Sequence, residues 1–521
     1  MKKFLKYIIC ILAVILTLTS CMSDIAYIGV QSGTTGQYFV DGDEDWEFVG
    51  ISGYQSKKYD NGGLAVTDMK HGAVRYVMLD EQPAKLLQQK IPGIKVIDIP
   101  LTNEEYAFGV DKGQPGLHAE VNRILREMKE KGEIDRIVAA YATGSGINPI
   151  TSAIKDEARA DEQLVVSTNA AFAPFEYKDG DKYAGIDMEI AAYIASELNM
   201  ELVIENMDFT AVVESVGNHC VDIAMAGLTV NEKRKEHVNF TDSYYNAAQM
   251  LMVLSGDDTF DKCTSAEEVI SLLEKNADKP YSATTEKASF FDSWDSFRQQ
   301  FFTKGAYKTV LSGLLATVEI AVFGLIIGII FGTLIAFVKV LPRGRRIVTA
   351  LNVICDIYVG FFRGTPMVVQ LLIGYFVLLP ALGIVVSNAV LVAVIIFGLN
   401  SAAYVSEIMR AGINSVDKGQ LEAARAVGLP FWQSMIKIIV PQSVKNILPT
   451  LGNEFIVLIK ETSIVSFIAV TDLTKAFREI GDANYDYIVP YLMLAAVYLV
   501  LVVGITIGVK FIERRLAKNG R

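Results

Sequence analysis

Residues 26–40 read AYIGVQSGTTGQYFV. A β-favouring run, Tyr27–Gln31, gives way to Ser, Gly and Thr, which predicts a strand entering a tight turn. Successive backbone N–H groups in such a turn form a nest that holds an anion. Upstream, MKKFLKYIICILAVILTLTSC (1–21) has a basic start, a short apolar run and small residues at its end, the pattern of a secretory signal. The nest is therefore expected outside the cytoplasm. The reading of the remaining chain turns on which anion it holds.

Leu18-Thr19-Ser20-Cys21 resembles the bacterial lipobox, which implies lipid attachment at Cys21; an uncleaved membrane anchor is the alternative. The chain of 521 residues is 51% hydrophobic, with a mean hydropathy of +0.32, too apolar for a purely soluble protein. Residues 22–300 are mixed and charged, whereas 306–512 hold several long apolar runs. A soluble acidic part joined to a membrane part follows. The net charge of −11 argues against a nucleic-acid partner, which would favour a basic patch. No Cys/His spacing suggests a metal site, and no cofactor is expected. Cys10 and Cys355 lie in apolar runs, while Cys220 and Cys263 fall in the exported part, where a disulfide is an open option.

Spans are expected near 310–338, 366–386, 388–409, 447–470 and 488–510, each long enough to cross a bilayer. An exported N-terminal part makes the first span run inward. That places KVLPRGRR (339–346) inside, and five spans place KFIERRLAKNGR (510–521) inside too, as basic loops require. Thr365 and Pro366 read as the N-cap and first residue of the second span. Between the third and fourth spans, DKGQLEAARAVGLPFWQSMIKIIVPQ (417–442) predicts a cytoplasmic helix broken at Gly428, then a second amphipathic stretch to Pro441.

EAARAVG (422–428) with IIVPQ (438–442) resembles the coupling loop of permease subunits of ATP-binding-cassette importers. FFRGTPMVVQ, AAYVSEIMRAGINSVDKGQLEAARAVG and LIKETSIVS resemble the polar amino-acid permeases of that class. The resemblance implies that Glu422, Ala423 and Ala424 dock on a separate cytoplasmic ATPase subunit. Gly428 would set the turn that presents them, and the permease domain would work as a homodimer. No GxxxxGK[ST] loop occurs, so ATP hydrolysis is expected on another chain and no enzyme activity here.

LVVSTNAAFAPFEYKDGDKYAGIDMEIAAYIASELNMELVIENMDF (164–209) and VDIAMAGLTVNEKRKEHVNFTDSYY (221–245) alternate short strands with a helix near 187–198, an α/β lobe. An Arg fork beside a hydroxyl at a strand's end suits a carboxylate, which directs attention to Arg234 and Thr229. The segment resembles the first lobe of amino-acid-binding proteins of the glutamine and histidine type. That resemblance implies Arg234 and Thr229 on a ligand α-carboxylate and the Gly227 carbonyl on its ammonium. Phe172 and Phe209 would flank the ligand, with Asn169 facing its side chain. YIGVQSGTTG resembles the entry of the second lobe, implying Thr35 on the carboxylate and Gln31 on the side chain. AVRYVMLDEQPA (73–84) resembles the strand whose terminal Asp, here Asp80, takes the ammonium. The nest's anion is then a carboxylate.

The order departs from that family. Residues 25–103 resemble lobe two, and 106–141, with an apolar face of Leu117, Val121, Ile124, Leu125 and Met128, resemble the return to lobe one. CTSAEEVISLLEKNADKP (263–280) resembles the helix leading into lobe two. The expected architecture is a circularly permuted two-lobed α/β binding domain before an all-α membrane domain. Its segments are 1–21 signal, 22–141 second lobe and return, 142–162 linker, 163–281 first lobe and crossover, 282–300 linker and 301–521 permease. Two truncated tandem remnants are the alternative, at the cost of exposed sheet edges. The expected function is the fused binding and permease subunit of a polar amino-acid importer in a bacterial cytoplasmic membrane, lobes outside. Amides at positions 31 and 169 favour a neutral ligand such as glutamine. A ligand-gated channel would need a filter between the lobes, and none is present; a sensor without transport would not need EAARAVG.

Overall fold

The β-favouring runs of the first hundred residues form three parallel neighbours, Tyr54–Tyr59, Ala26–Gln31 and Tyr76–Asp80. Their sheet is completed by Gln249–Leu254, antiparallel between Tyr76–Asp80 and Ile94–Ile97. Thus a strand from far down the chain enters the first lobe encountered. A second five-stranded sheet runs Glu201–Asn206, Gln163–Thr168, Ile223–Ala224, Gly109–Asp111, Val238–Phe240. Here the foreign strand is Gly109–Asp111, antiparallel to both of its neighbours. Each sheet draws on both halves of the exported segment.

Burial follows this exchange. Ile28, Val30, Tyr76 and Met78 share a core with Leu251 and Val253, and with Val269 and Leu273 of helix Ala266–Asn276. In the other lobe, Phe108 and Val110 with Val121, Ile124, Leu125 and Met128 of helix Pro115–Glu130 pack on Leu164, Val166, Ile190 and Ile223. Ala26 and Ala277 both lie against the first of these cores. Residues 142–162 run over the lobe built on Gln163–Thr168, where Ile150 bridges Tyr183 and Asn148 N–H donates to Glu189. Two short antiparallel strands, Glu104–Tyr106 and Tyr245–Ala247, carry the chain between the lobes.

This computed structural model describes residues 26–277, 290–341, 346–382 and 388–518. The signal with Cys10 and Cys21, residues 342–345 of KVLPRGRR and residues 278–289 lie outside them. Cys220 and Cys263 are both free thiols, so the disulfide left open by their location is not formed.

Four described helices are long and apolar enough to cross a membrane: Tyr307–Val340, Arg346–Gly364, Ala389–Asn414 and Ile488–Arg515. The first and third pack along Gly324, Gly328 and Gly332. A Cβ at Gly328 would stand 2.7 Å from Ser401 Oγ, and one at Gly332 would stand 2.8 Å from Val405 Cβ. Small residues every fourth position let two helix backbones approach this closely.

Several boundaries differ from expectation. The helix after the basic loop begins at Arg346, about a span's length before the expected start near 366. Its scattered polar residues, such as Asn352 and Asp356, mask it in a simple apolar count. Met367–Leu378 is a shorter apolar helix. Thr365 is not its N-cap: Pro366 takes that position, and the Thr365 hydroxyl donates back to the Phe361 carbonyl at 2.9 Å. The span expected at 447–470 is helix Val440–Glu461 followed by a 3-10 turn, Thr462–Ile468. Pro441 does not end the second amphipathic stretch. It sits in the first turn of that helix, where its missing N–H costs nothing.

Candidate functional site

The turn after Ala26–Gln31 places Gly33 at φ +76° and starts a short helix, Thr35–Asp41. Facing it across the lobes, the chain after Ile223–Ala224 turns at Gly227, φ +53°, and brings Thr229 and Arg234 to the cleft. One small cavity is lined by Gln31, Thr34, Thr35, Asp80, Phe172, Phe209, Gly227, Thr229 and Arg234. Of the binding residues expected from sequence, only Asn169 is absent from that lining. It stands behind Gln31, whose Nε2 lies 3.5 Å from Asn169 Oδ1.

Arg234 is partly buried between Phe209, 5.4 Å from the ring centre, and Trp46, at 5.8 Å. Its guanidinium donates to the carbonyls of Thr229 at 2.8 Å and of Gly33, in the other lobe, at 3.0 Å. Both acceptors are neutral, and among the described residues no carboxylate pairs with it. Burial pulls its pKa below the usual guanidinium range, yet arginine stays charged at any physiological pH. A desolvated cation with neutral partners is a site for an anion.

Asp80 is buried, with Tyr106 O–H and Gln249 Nε2 (3.0 Å) both donating to its Oδ1. Burial, and then the neighbouring Glu104 charge, raise its pKa to about 7. Gly227 is held by a second buried acid: its N–H donates to Asp187 Oδ2 at 2.9 Å, and Tyr244 donates to Oδ1. Burial raises Asp187 to about 7 as well.

Four contributors were missed from sequence: Thr34, which lines the cavity, and Glu104, Gln249 and Trp46 around it. Glu104 is buried and accepts from Thr229 Oγ1 (2.7 Å), Thr102 Oγ1 (2.7 Å) and Gln249 Nε2 (3.1 Å). Gln249 thereby ties Glu104 to Asp80, and Thr35 Oγ1, 3.2 Å from Thr229 Oγ1, extends the network into the other lobe. Trp46 covers the far side of Arg234. In TNEEY, alternation makes one of Glu104 and Glu105 face inward but does not say which. Trp46 lies in a polar loop with no periodicity to place it.

The residues of the 417–442 loop form a distinct group. Helix Lys418–Ala426 exposes Glu422 and Ala423 and buries Ala424. Gly428, at φ +88°, ends it: its N–H donates to Arg425 O, and Leu429 N–H donates to Ala424 O. That pair of bonds is a Schellman cap, for which glycine is favoured.

The cleft sets the Arg234 guanidinium and the Asp80 carboxylate in one cavity, on lobes joined to a bundle of apolar helices, the build of a ligand-binding membrane protein. A family model described as "binding-protein-dependent transport system inner membrane component" matches residues 324–518. The arginine transport system permease protein ArtQ of Bacillus subtilis is 42% identical over 210 residues, 40% of this chain and 93% of that protein. GlnP of Rickettsia bellii, a permease protein assigned to glutamine transport, is 42% identical over 207 residues, covering 40% and 92%. A crystallised amino acid ABC transporter is 36% identical, with 44% of this chain and all of that chain covered, at a TM-score of 0.38. The chain belongs to the inner-membrane components of binding-protein-dependent transport systems.

Proposed function

We propose that this chain is the fused substrate-binding and permease subunit of an amino-acid importer, its lobes outside and its 417–442 loop inside. The carrying observation is the cleft: Arg234 has neutral partners only, and Asp80 stands in the same cavity with an oxygen to spare. A zwitterionic α-amino acid matches both, its carboxylate on Arg234 with Thr229 and Thr35, its ammonium on Asp80 and the Gly227 carbonyl. The permease relatives, named for arginine and glutamine, agree with this class.

For the side chain we favour a neutral polar ligand, glutamine first. Gln31 is buried with its Oε1 unpartnered, an acceptor awaiting an N–H, and Phe172 and Phe209 supply flat walls. Ordering of the lobes supports a circular permutation over tandem remnants, since each sheet is completed by a strand of the other segment. The exposed Glu422–Ala423 face with its Gly428 turn suits docking on a separate ATPase subunit, two permease domains forming the pathway. Calorimetric titration of the purified chain with the common amino acids tests the ligand. Glutamine should bind at least about tenfold, or ~1.4 kcal/mol, tighter than glutamate, lysine or arginine. A charged amino acid binding tightest overturns the side-chain assignment.

A further inference from the structure

Helix Leu473–Asn484, at the outer end of the membrane domain, lies across both lobes. Arg478 donates to Asp208 of one lobe at 3.0 Å and to Asp60 of the other at 3.2 Å. Asn61 donates to Asp482 at 2.8 Å. Asn206 donates to Glu479 Oε1 at 2.7 Å and receives the Lys475 ammonium on its carbonyl.

These groups enclose a chamber with a free volume of about 20 Å³, room for a water molecule. Lys475 is 3% exposed and Glu479 5% exposed, and both line it. Among the described residues, Glu479 Oε2 has no hydrogen-bond partner. A buried carboxylate oxygen left unpaired is costly in a docking interface that is only structural. Beside an ammonium, it is one half of a receptor for a zwitterion. Asn169 lines the chamber, and its Oδ1 meets Gln31, which lines the cleft, at the outer limit of a hydrogen bond. Cleft and chamber therefore share a wall made of two weakly joined amides. The chamber's sides come from different lobes, Asp60 and Asn61 from one and Asn206 and Asp208 from the other, so parting the lobes widens it.

We infer that this chamber is a second, transient site for the α-amino acid, which enters past Gln31 and Asn169 as the lobes part. Glu479 takes the ammonium and Lys475 the carboxylate. The inference rests on the reading that the cleft binds an amino acid.

The test uses the full chain assembled with its ATPase subunit in proteoliposomes, with L-glutamine as probe. Glu479→Gln should leave the dissociation constant and ligand-stimulated ATP hydrolysis within twofold of wild type, and lower uptake at saturating glutamine at least tenfold. Glu479→Asp, which keeps the charge, should recover part of that uptake. Arg478→Ala, which breaks the contacts to both lobes and removes a cation from the chamber's lining, should lower hydrolysis and uptake together. If Glu479→Gln leaves uptake unchanged, or lowers hydrolysis in step with it, the chamber is a docking contact and the inference fails. A wild-type chain that binds glutamine and no other common amino acid more tightly supports the cleft reading independently. A wild-type chain that binds none of them overturns both.

Discussion

Arg234 is rooted in one lobe and hydrogen-bonded to the other, so it contributes to ligand affinity and to lobe closure together. Arg234→Ala should weaken amino-acid binding by roughly 2–5 kcal/mol, the range for breaking a buried charge pair. Lys233→Ala, its exposed neighbour, should change calorimetric affinity little; equal small effects would sink the carboxylate assignment. Asp80 sets a pH dependence. Its pKa of about 7 lies above the ordinary ~3.9 of an unfolded Asp, so the ligand-free native state holds the proton more tightly. Its contribution to folding stability should therefore rise as pH falls from 7 toward 4. Ligand affinity should move the opposite way, because the ammonium needs the ionised carboxylate, falling toward about tenfold per unit well below pH 7. Glu104→Gln removes the adjacent charge and should shift that fall to lower pH; dissociation constants from pH 8 to 5 would show it. The residues that touch ligand were legible because their types fit the chemistry of a zwitterion. Glu104 and Gln249 were not, since they act through hydrogen bonds that only the folded hinge assembles.

Among the elements, helices with a single apolar face were read correctly, as with Pro115–Glu130. Helices placed by contacts on several sides were not. Arg346–Gly364 escaped because Asn352 and Asp356 interrupt it. Asn352 donates to the carbonyls of Val338 and Val348, and Asp356 pairs with Lys339, so neighbours satisfy what composition marks as unfavourable. The Gly428 cap was legible, because a glycine directly after an amphipathic run has one common use. Gly428→Pro forces φ from +88° toward −65° and deletes the N–H bonded to Arg425 O. ATP-driven uptake should be lost in that variant while calorimetric ligand affinity stays within twofold. Normal uptake would refute the docking role of the loop.

At the scale of the molecule, residues 26–277 fold as an exchange: neither half owns a complete five-stranded sheet. Fragment 26–277 should therefore unfold cooperatively, with a midpoint raised by its amino acid, since a ligand that binds only the native state adds stability. Fragment 26–141 should show no cooperative transition in thermal melts, because Gly109–Asp111 would lose both antiparallel partners and helix Pro115–Glu130 the sheet it covers. A folded, ligand-binding 26–141 would favour tandem remnants. The strand swap was visible in sequence as order, whereas the permease helix beneath both lobes was not, since its partners lie more than two hundred residues away.

Helix Leu473–Asn484 meets the lobes within one covalent chain, and this changes the kinetics of capture. Separate receptors reach a membrane partner by diffusion and compete for it in proportion to their abundance. A receptor on a short tether meets its partner at an effective concentration in the millimolar range. Each permease is thereby reserved for its own lobes, and occupancy depends on external ligand alone, not on how many receptors the cell exports.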